Sequence, residues 1–160
     1  LQARQEMHHA SCLAGLAFSN AGLGLNHGMA HTLGAHFHIP HGRANGILLP
    51  YVMAFNAGCH EQLTPVAARY ARIARVLRLD GPSIRQSAFS VVRTTKQYMK
   101  QLHIPDSIEA AGVSREDFDA VLDEMVEAAY QDACTKTNPR ACSKEDIRGV
   151  FLRAYTGRLI

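Results

Sequence analysis

The sequence predicts an all-α protein, a helical bundle of about seven or eight helices. Apolar residues recur at three- and four-residue spacing along most of the chain, as they do on the buried face of a helix. Ser114 and Ser143 each precede an aspartate by three residues, a pattern typical of a capped helix start. We find no convincing alternation of apolar and polar residues of the kind that predicts a half-buried strand.

The length and the cysteine content favour a single reduced domain. The 160 residues, 47% of them hydrophobic, are enough for one core of ordinary size, so we expect one domain over residues 1–160. The four cysteines lack C-x-x-C spacing, which favours free thiols in a cytoplasmic protein over a disulfide framework. No apolar run reaches the roughly 20 residues of a spanning helix, and the first residues lack a signal-peptide pattern.

The charge of the chain gives no reason to expect nucleic acid or an acidic membrane as a partner. The formal net charge is only +3, and basic residues are interspersed with acidic ones. One stripe of arginines follows a predicted helix at every third position, but no exposed aromatic residues are interleaved with it. We therefore interpret these arginines as a solvated helix face: Arg69, Arg72, Arg75 and Arg78.

The first two predicted helices lead into the most informative part of the chain. Residues 1–25 form the first helix, which we expect to lie nearly all buried because its many alanines and glycines allow another backbone to approach closely. Asn26 is predicted to cap or join the second helix, which carries His27 and His31 and runs to about residue 35.

Proline residues set the boundaries in the middle of the chain. Pro40 forces an extended turn after the second helix, Pro50 is expected to kink the third, and Pro65 opens the fourth. The remaining helices are predicted at residues 43–57, 64–79 and 83–102, and after Ser114 and Ser143.

The histidine-rich stretch at residues 26–50 permits three interpretations on spacing alone. Five of the nine histidines lie there: His27, His31, His36, His38 and His41. Most of them could be structural, above all His36 and His38, which alternate in a short segment predicted to be extended. A zinc hydrolase is opposed by Gly28, which stands where its glutamate would follow the first histidine. The third interpretation is a metal that acts as a Lewis acid, with one histidine nearby to relay a proton.

Several motifs resemble the signature of the iron-containing alcohol dehydrogenases. They are AFSNAGLG at residues 17–24, NHGMAHTLGA at 26–35, IPHGRAN at 39–45 and LLP at 48–50, with CT at 134–135 and NPR at 138–140 in a later loop. The resemblance covers essentially the whole chain. It implies the all-α C-terminal domain of the dehydroquinate synthase-like fold, in a propanol, lactaldehyde or aldehyde-alcohol dehydrogenase branch. A dehydroquinate synthase-like lyase shares this architecture but is disfavoured by the match at residues 27–45.

The resemblance implies roles for five residues. His27 and His41 would bind the metal, Fe²⁺ or in some relatives Zn²⁺, while His31 would relay a proton or face the nicotinamide. Phe18 and Cys134 would line the substrate and nicotinamide pocket. For these two the alternatives stay open, namely an apolar core residue and a buried inert thiol.

The chain departs from the family pattern in two ways. The family's remaining ligands come from an earlier D-x-x-x-H motif, yet none of the seven aspartates here has a histidine four residues later. No glycine-rich nucleotide-binding motif is present either. We therefore expect that the N-terminal nucleotide-binding domain is absent from this chain, which opens at Leu1 inside a predicted helix. Alone it should bind Fe²⁺ or Zn²⁺ weakly and NAD(H) hardly at all.

The predicted function is that of a C-terminal half of a metal-dependent, NAD(P)-linked alcohol dehydrogenase. The intact enzyme would interconvert a short-chain primary alcohol and its aldehyde, while the isolated chain would be inactive. A homodimer is a candidate assembly. The alternative is a catalytically inert helical module that retains the family fold and serves in packing or assembly.

Overall fold

The computed structural model describes residues 1–159, which form seven α-helices and one short 3₁₀ helix. The helices are α1 (Gln2–Ala21), α2 (Gly24–Phe37), α3 (His41–Ala57), α4 (Val66–Val76), α5 (Ile84–Gln101), α6 (Arg115–Gln131) and α7 (Lys144–Thr156), with the 3₁₀ helix at Thr135–Thr137 between the last two. Residues 1–159 contain no strand. The predicted all-α bundle is confirmed.

Two hydrophobic cores share α3. The larger core lies where α2, α3, α6 and α7 meet, and its fully buried side chains include Met29, Leu48, Phe118 and Phe151. The smaller core lies where α3 meets α4 and α5. Its members are mostly small: Ala54, Ala57, Ala67, Ala74, Ala88, Val91 and Val92, with Met53 and Cys59. Since α3 is buried on two sides, it is the helix on which the other elements are positioned.

The prediction that the first helix is nearly all buried was wrong. No residue of α1 is buried, and its large apolar side chains are exposed: Met7, Leu13, Leu16 and Phe18. Small and apolar residues show which surface a helix can pack with, but burial also requires a partner surface. Within residues 1–159 no helix covers α1.

The predicted cap at Asn26 was also wrong, because the start of α2 is capped from a distant part of the chain. Asn26 is buried inside α2. The backbone N–H of Gly24 donates to Thr137 Oγ1 at 3.1 Å, and that of Leu25 donates to Asn138 Oδ1 at 3.2 Å. Both acceptors lie 113 residues further along the chain, so these first amides of α2 are satisfied by tertiary structure.

The turn between α2 and α3 is tighter than predicted. α2 continues to Phe37, so His36 is helical rather than extended, and His38 then ends the helix in the left-handed conformation with φ of 54°. Pro40 precedes α3, which begins at His41, two residues earlier than expected. His41 is thereby the first helical residue after the turn.

The serine caps predicted at the later helices are present. The Ser143 hydroxyl accepts a hydrogen bond from the Asp146 N–H, and the Asp146 carboxylate accepts one from the Ser143 N–H, which is a reciprocal capping box. Ser114 accepts from the Asp117 N–H in the same way, although no reciprocal bond forms there. Of the helices in the described part of the chain, none is both long and apolar enough to cross a membrane.

Candidate metal and proton-transfer site

Three histidines from two helices converge at one end of the α2–α3 pair. His27 and His31 lie four residues apart on α2 and therefore project from one face, while the turn at Pro40 brings His41 back beside them. The His27 and His41 ring centroids are 5.2 Å apart, those of His31 and His41 are 5.5 Å apart, and those of His27 and His31 are 6.3 Å apart. The predicted convergence of His27 and His31 is present, and His41 joins it.

His27 is the most enclosed of the three histidines. Its Nδ1 is buried and has no hydrogen-bond partner among residues 1–159, which is uncommon for a buried imidazole nitrogen. Burial lowers the pKa of His27, and the neighbouring His41 and His31 lower it further because a second positive charge would be repelled. The lowered pKa favours the neutral imidazole of His27, the form in which histidine binds a metal.

His41 is held by a chain of amide side chains. Asn26 Nδ2 donates to Asn45 Oδ1 at 2.8 Å, and Asn45 Nδ2 lies 3.1 Å from His41 Nε2 and donates to the His41 carbonyl at 3.0 Å. Because the Asn45 amide nitrogen is only a donor, His41 Nε2 is the accepting nitrogen of its ring. A cation that bound at Nε2 would take the place of this amide hydrogen.

His31 is paired with a carboxylate at the end of α6, the helix that packs against α2. Its Nδ1 lies 2.8 Å from Asp132 Oδ2, and the second oxygen, Oδ1, accepts the backbone N–H of Cys134 at 2.7 Å. Partial burial raises the pKa of Asp132, but the hydrogen bonds from His31 and Cys134 outweigh burial and leave the pKa below its usual value. Asp132 is thus an ionised carboxylate in contact with His31.

The absence of a side chain at Gly28 allows this carboxylate to come close. A Cβ at Gly28 would lie 2.2 Å from Thr135 Oγ1 and 3.3 Å from both the Ala129 carbonyl oxygen and Asp132 Cβ. Thr135 is buried and donates its hydroxyl to Ala129, so it has little room to move. Gly28 therefore lets α2 pack closely against the end of α6, one helical turn from His31.

A second set of donor atoms shares His31 with the histidine cluster. Within residues 1–159, one group of three histidine, cysteine or carboxylate side chains brings its donor atoms within 4.8 Å of one another, and it consists of His31, Asp132 and Cys134. Burial and the adjacent Asp132 raise the pKa of the Cys134 thiol, so it is protonated near neutral pH. The 2.8 Å between His31 Nδ1 and Asp132 Oδ2 is a hydrogen-bond distance, so we interpret these two residues as a hydrogen-bonded pair and not as two metal ligands.

Phe18 and Cys134 flank the histidines on two sides. The Phe18 ring is 44% exposed and its centroid lies 6.5 Å from that of His27, so the alternative of a core residue was wrong for the described chain. Cys134 is half-buried within two residues of Asp132. His36 and His38 lie outside the cluster, at the end of α2, where His36 Nε2 is 4.0 Å from the Glu124 carboxylate.

Sequence reasoning missed two residues of the site, Asn45 and Asp132. Asn45 follows His41 by four residues on a helix, so the same spacing rule that pairs His27 with His31 would have found it. Asp132 had only a weak signal, since it ends α6 two residues before Cys134. Its contact with His31 spans 101 residues and depends on how α6 packs against α2.

The residues present fit a divalent cation only in part. His27 and His41 offer two neutral imidazoles, and ring centroids 5.2 Å apart suit two nitrogens that share one ion at about 2.1 Å each. Among residues 1–159 no group donates to or accepts from the buried His27 Nδ1, as expected of an imidazole in a site built for a cation. Two imidazoles leave the ion short of the usual four ligands.

Comparisons with known proteins point to one family. The family described as "Fe-containing alcohol dehydrogenase family, C-terminal" matches residues 1–155. The NADPH-dependent butanol dehydrogenase of Clostridium saccharobutylicum is 42% identical over 156 residues, which covers 98% of this chain and 39% of that protein. The 1-propanol dehydrogenase of Salmonella typhimurium is 42% identical over 147 residues, covering 91% of this chain and 39% of that protein.

Solved structures agree with this match. The alcohol dehydrogenase from Oenococcus oeni superposes with a TM-score of 0.84 at 38% identity, over 96% of this chain and 38% of that one. The chain thus spans about two fifths of the length of the relatives that it matches.

Proposed function

We propose, from the premise that this chain belongs to the C-terminal domain of the Fe-containing alcohol dehydrogenase family, that it supplies half of the active site of a metal-dependent, NAD(P)-linked alcohol dehydrogenase. The substrate class would be a short-chain primary alcohol or its aldehyde. The observation that carries the proposal is the convergence of His27, His31 and His41 within 6.3 Å of one another, measured between ring centroids.

Each residue of the cluster has a separate task in this proposal. His27 and His41 hold a divalent cation, Fe²⁺ or Zn²⁺, because they are adjacent and His27 is neutral. When bound, that cation supplies Lewis acidity toward an alcohol or carbonyl oxygen. His31, whose side chain is 44% exposed, accepts or returns the proton of the substrate hydroxyl.

Phe18 and Cys134 line the substrate and nicotinamide side of the site. The exposed Phe18 ring excludes water beside His27, and the protonated Cys134 thiol offers a small, weakly polar wall. No residue of this chain is assigned to binding the nucleotide phosphates and ribose of the cofactor, since the sequence carries no glycine-rich nucleotide-binding motif. The nucleotide site and the remaining metal ligands belong to a part of the enzyme outside these 160 residues.

Metal binding tests the assignment of the ligands directly. The chain is titrated with Co²⁺, whose absorption reports its ligands, and the titration is repeated with His27→Ala and with His41→Ala. Each substitution is expected to weaken binding by more than the roughly 10- to 100-fold that loss of an outer-shell partner costs. His8→Ala is the matched control, because His8 lies exposed on α1 and should leave binding unchanged.

A different pattern in the same titration would contradict the proposal. If Cys134→Ser abolished binding and a thiolate charge-transfer band, while His41→Ala had no effect, the ion would lie at the second donor group around Asp132. If Co²⁺ binding were unchanged in both histidine variants, the proposed histidine metal site would be contradicted.

Activity is expected only when the nucleotide-binding site and the remaining metal ligands are supplied. The purified chain should not reduce NAD⁺ or NADP⁺ with a short alcohol, because two imidazoles and no nucleotide site cannot assemble the reaction. A chimaera in which this chain replaces the matching segment of the Clostridium saccharobutylicum butanol dehydrogenase should oxidise butanol with NADP⁺. Enzyme-like turnover by the chain alone would refute the first expectation, and an inactive but folded, metal-loaded chimaera would refute the second.

One observation favours the alternative of an inert packing module. The apolar side chains of Met7, Leu13 and Leu16 on α1 are exposed and could meet a second copy of the chain. Sedimentation of the chain and of a Leu13→Glu, Leu16→Glu double variant would detect such self-association. Self-association through α1, together with the absence of histidine-dependent metal binding, would favour the packing module over the dehydrogenase.

A further inference from the structure

We infer that Asp132 is a positioning residue, whose carboxylate fixes His31 as the Nδ1–H tautomer and leaves Nε2 as the proton-accepting nitrogen of the site. The inference rests on the proposed function for its consequence in catalysis, but its structural part stands on the geometry of the pair. Asp132 was not among the residues expected from the sequence, because it is brought to His31 across 101 residues.

The tautomer follows from the hydrogen-bonding capacity of the two groups. An ionised carboxylate can only accept hydrogen bonds, so at 2.8 Å the proton of the pair lies on His31 Nδ1. In a neutral imidazole, the hydrogen bond made by one ring nitrogen determines which of the two carries the proton, so in neutral His31 the lone pair lies on Nε2. In water a free neutral imidazole favours the opposite tautomer, with the proton on Nε2, and the carboxylate reverses this preference.

The carboxylate itself is held in place at its other oxygen. Oδ1 of Asp132 accepts the Cys134 N–H at 2.7 Å, and Thr135 donates its hydroxyl to the Ala129 carbonyl at 2.7 Å, so the end of α6 and the turn after it are fixed. One oxygen is thus occupied by the backbone and the other is aimed at His31. A carboxylate held in this way orients an imidazole rather than serving only as a surface charge.

The ring of His31 is constrained on its face as well as at its edge. It lies stacked on the His41 ring, with an interplanar angle of 20° and centroids 5.5 Å apart. The hydrogen bond at Nδ1 and the stacking on His41 together restrict rotation of the His31 ring, and the hydrogen bond also selects the tautomer. The side chain is nevertheless 44% exposed. The group that exchanges a proton with Nε2 would be a hydroxyl, alcohol or water, on the open side of the site.

Asp132→Asn separates positioning from simple folding. The asparagine keeps the shape of the side chain and an oxygen that can accept the Cys134 N–H, so the turn should persist. Its NH₂ group, however, would donate to His31 Nδ1 and drive the proton to Nε2, the wrong tautomer for accepting a proton. Asp123→Asn is the matched control, since Asp123 is an exposed carboxylate on α6, the helix that Asp132 follows, and is paired with Arg148.

The primary readout is the tautomer of His31 in the ¹⁵N-histidine-labelled chain, taken from long-range ¹H–¹⁵N correlation spectra. The unsubstituted chain and Asp123→Asn should both show the Nδ1–H form at His31, while Asp132→Asn should show the Nε2–H form. Because this readout needs neither metal nor cofactor, it tests Asp132 even if the proposed dehydrogenase function fails.

The second readout is turnover in the chimaera. Asp132→Asn should lower kcat by about 10²- to 10⁴-fold, the range expected when a proton-transfer histidine is held in the wrong tautomer, with KM and metal content nearly unchanged. Asp132→Glu, which keeps the carboxylate, should recover part of the loss. The inference is overturned if His31 keeps its tautomer in Asp132→Asn, or if metal content falls in step with kcat, since Asp132 would then be a ligand.

Discussion

Replacement of His31 by alanine in the chimaera is expected to lower turnover by about 10²- to 10⁴-fold, the range typical of a lost general acid–base group. The reason is that His31 is exposed and hydrogen-bonded to the Asp132 carboxylate, while the His27 imidazole is partly buried and adjacent to His41. Steady-state or stopped-flow measurement of butanol oxidation gives the turnover, and metal analysis of the same sample gives the metal content.

The metal content of the His31→Ala protein distinguishes the two roles that a clustered histidine can have. A proton-transfer residue can be removed without loss of the ion, so the metal content should match that of the unsubstituted chimaera. Added imidazole should restore part of the turnover, because it can enter the space left by the side chain. Loss of the ion in His31→Ala, with no rescue by imidazole, would make His31 a ligand and contradict the assignment.

The part of the site that was predictable from the sequence is the part that depends on local spacing. His27 and His31 share a helix face because they are four residues apart, and Pro40 returns the chain so that His41 joins them. The caps at Ser114 and Ser143 were predictable for the same reason, since each hydroxyl bonds an amide three residues away. The identity of His27 and His41 as ligands came from resemblance and stays a proposal.

The part that could not be predicted depends on contacts between distant segments. The first amides of α2 are capped by Thr137 and Asn138, and no local pattern around Gly24 signals these acceptors. Asp132 meets His31 only because α6 packs against α2. The exposure of α1 was missed for a related reason, since an apolar helix is buried only where another surface covers it.

Replacement of Gly28 by valine is the substitution expected to have the largest effect on stability, because it fills the space that lets α2 approach α6. Even the first carbon of the new side chain would lie 2.2 Å from Thr135 Oγ1 and 3.3 Å from the Ala129 carbonyl oxygen. The neighbours are buried and hydrogen-bonded, so the free energy of unfolding should fall by about 3 kcal/mol, the upper end for an overpacked site. Urea denaturation of the chain measures this change.

Gly42 offers the matched control for a glycine in a helix of this site. A Cβ there meets no atom of residues 1–159 within 4 Å, and Gly42 lies in the first turn of α3. Gly42→Ala should therefore raise the free energy of unfolding by about 0.5 to 1 kcal/mol, by reducing the freedom of the unfolded chain. Gly28→Ala, milder than valine, keeps the test informative if the valine variant does not fold.

The Gly28 variants also connect packing with the chemistry of the site. When Thr135 is pushed away from α2, Asp132 should move with it and release His31 Nδ1, since both residues belong to the same fixed turn. His31 should then take the Nε2–H tautomer, as in Asp132→Asn, although its partner carboxylate is still present. A destabilised Gly28 variant in which His31 stays in the Nδ1–H form would show that the carboxylate reaches His31 without the close approach of α2 and α6.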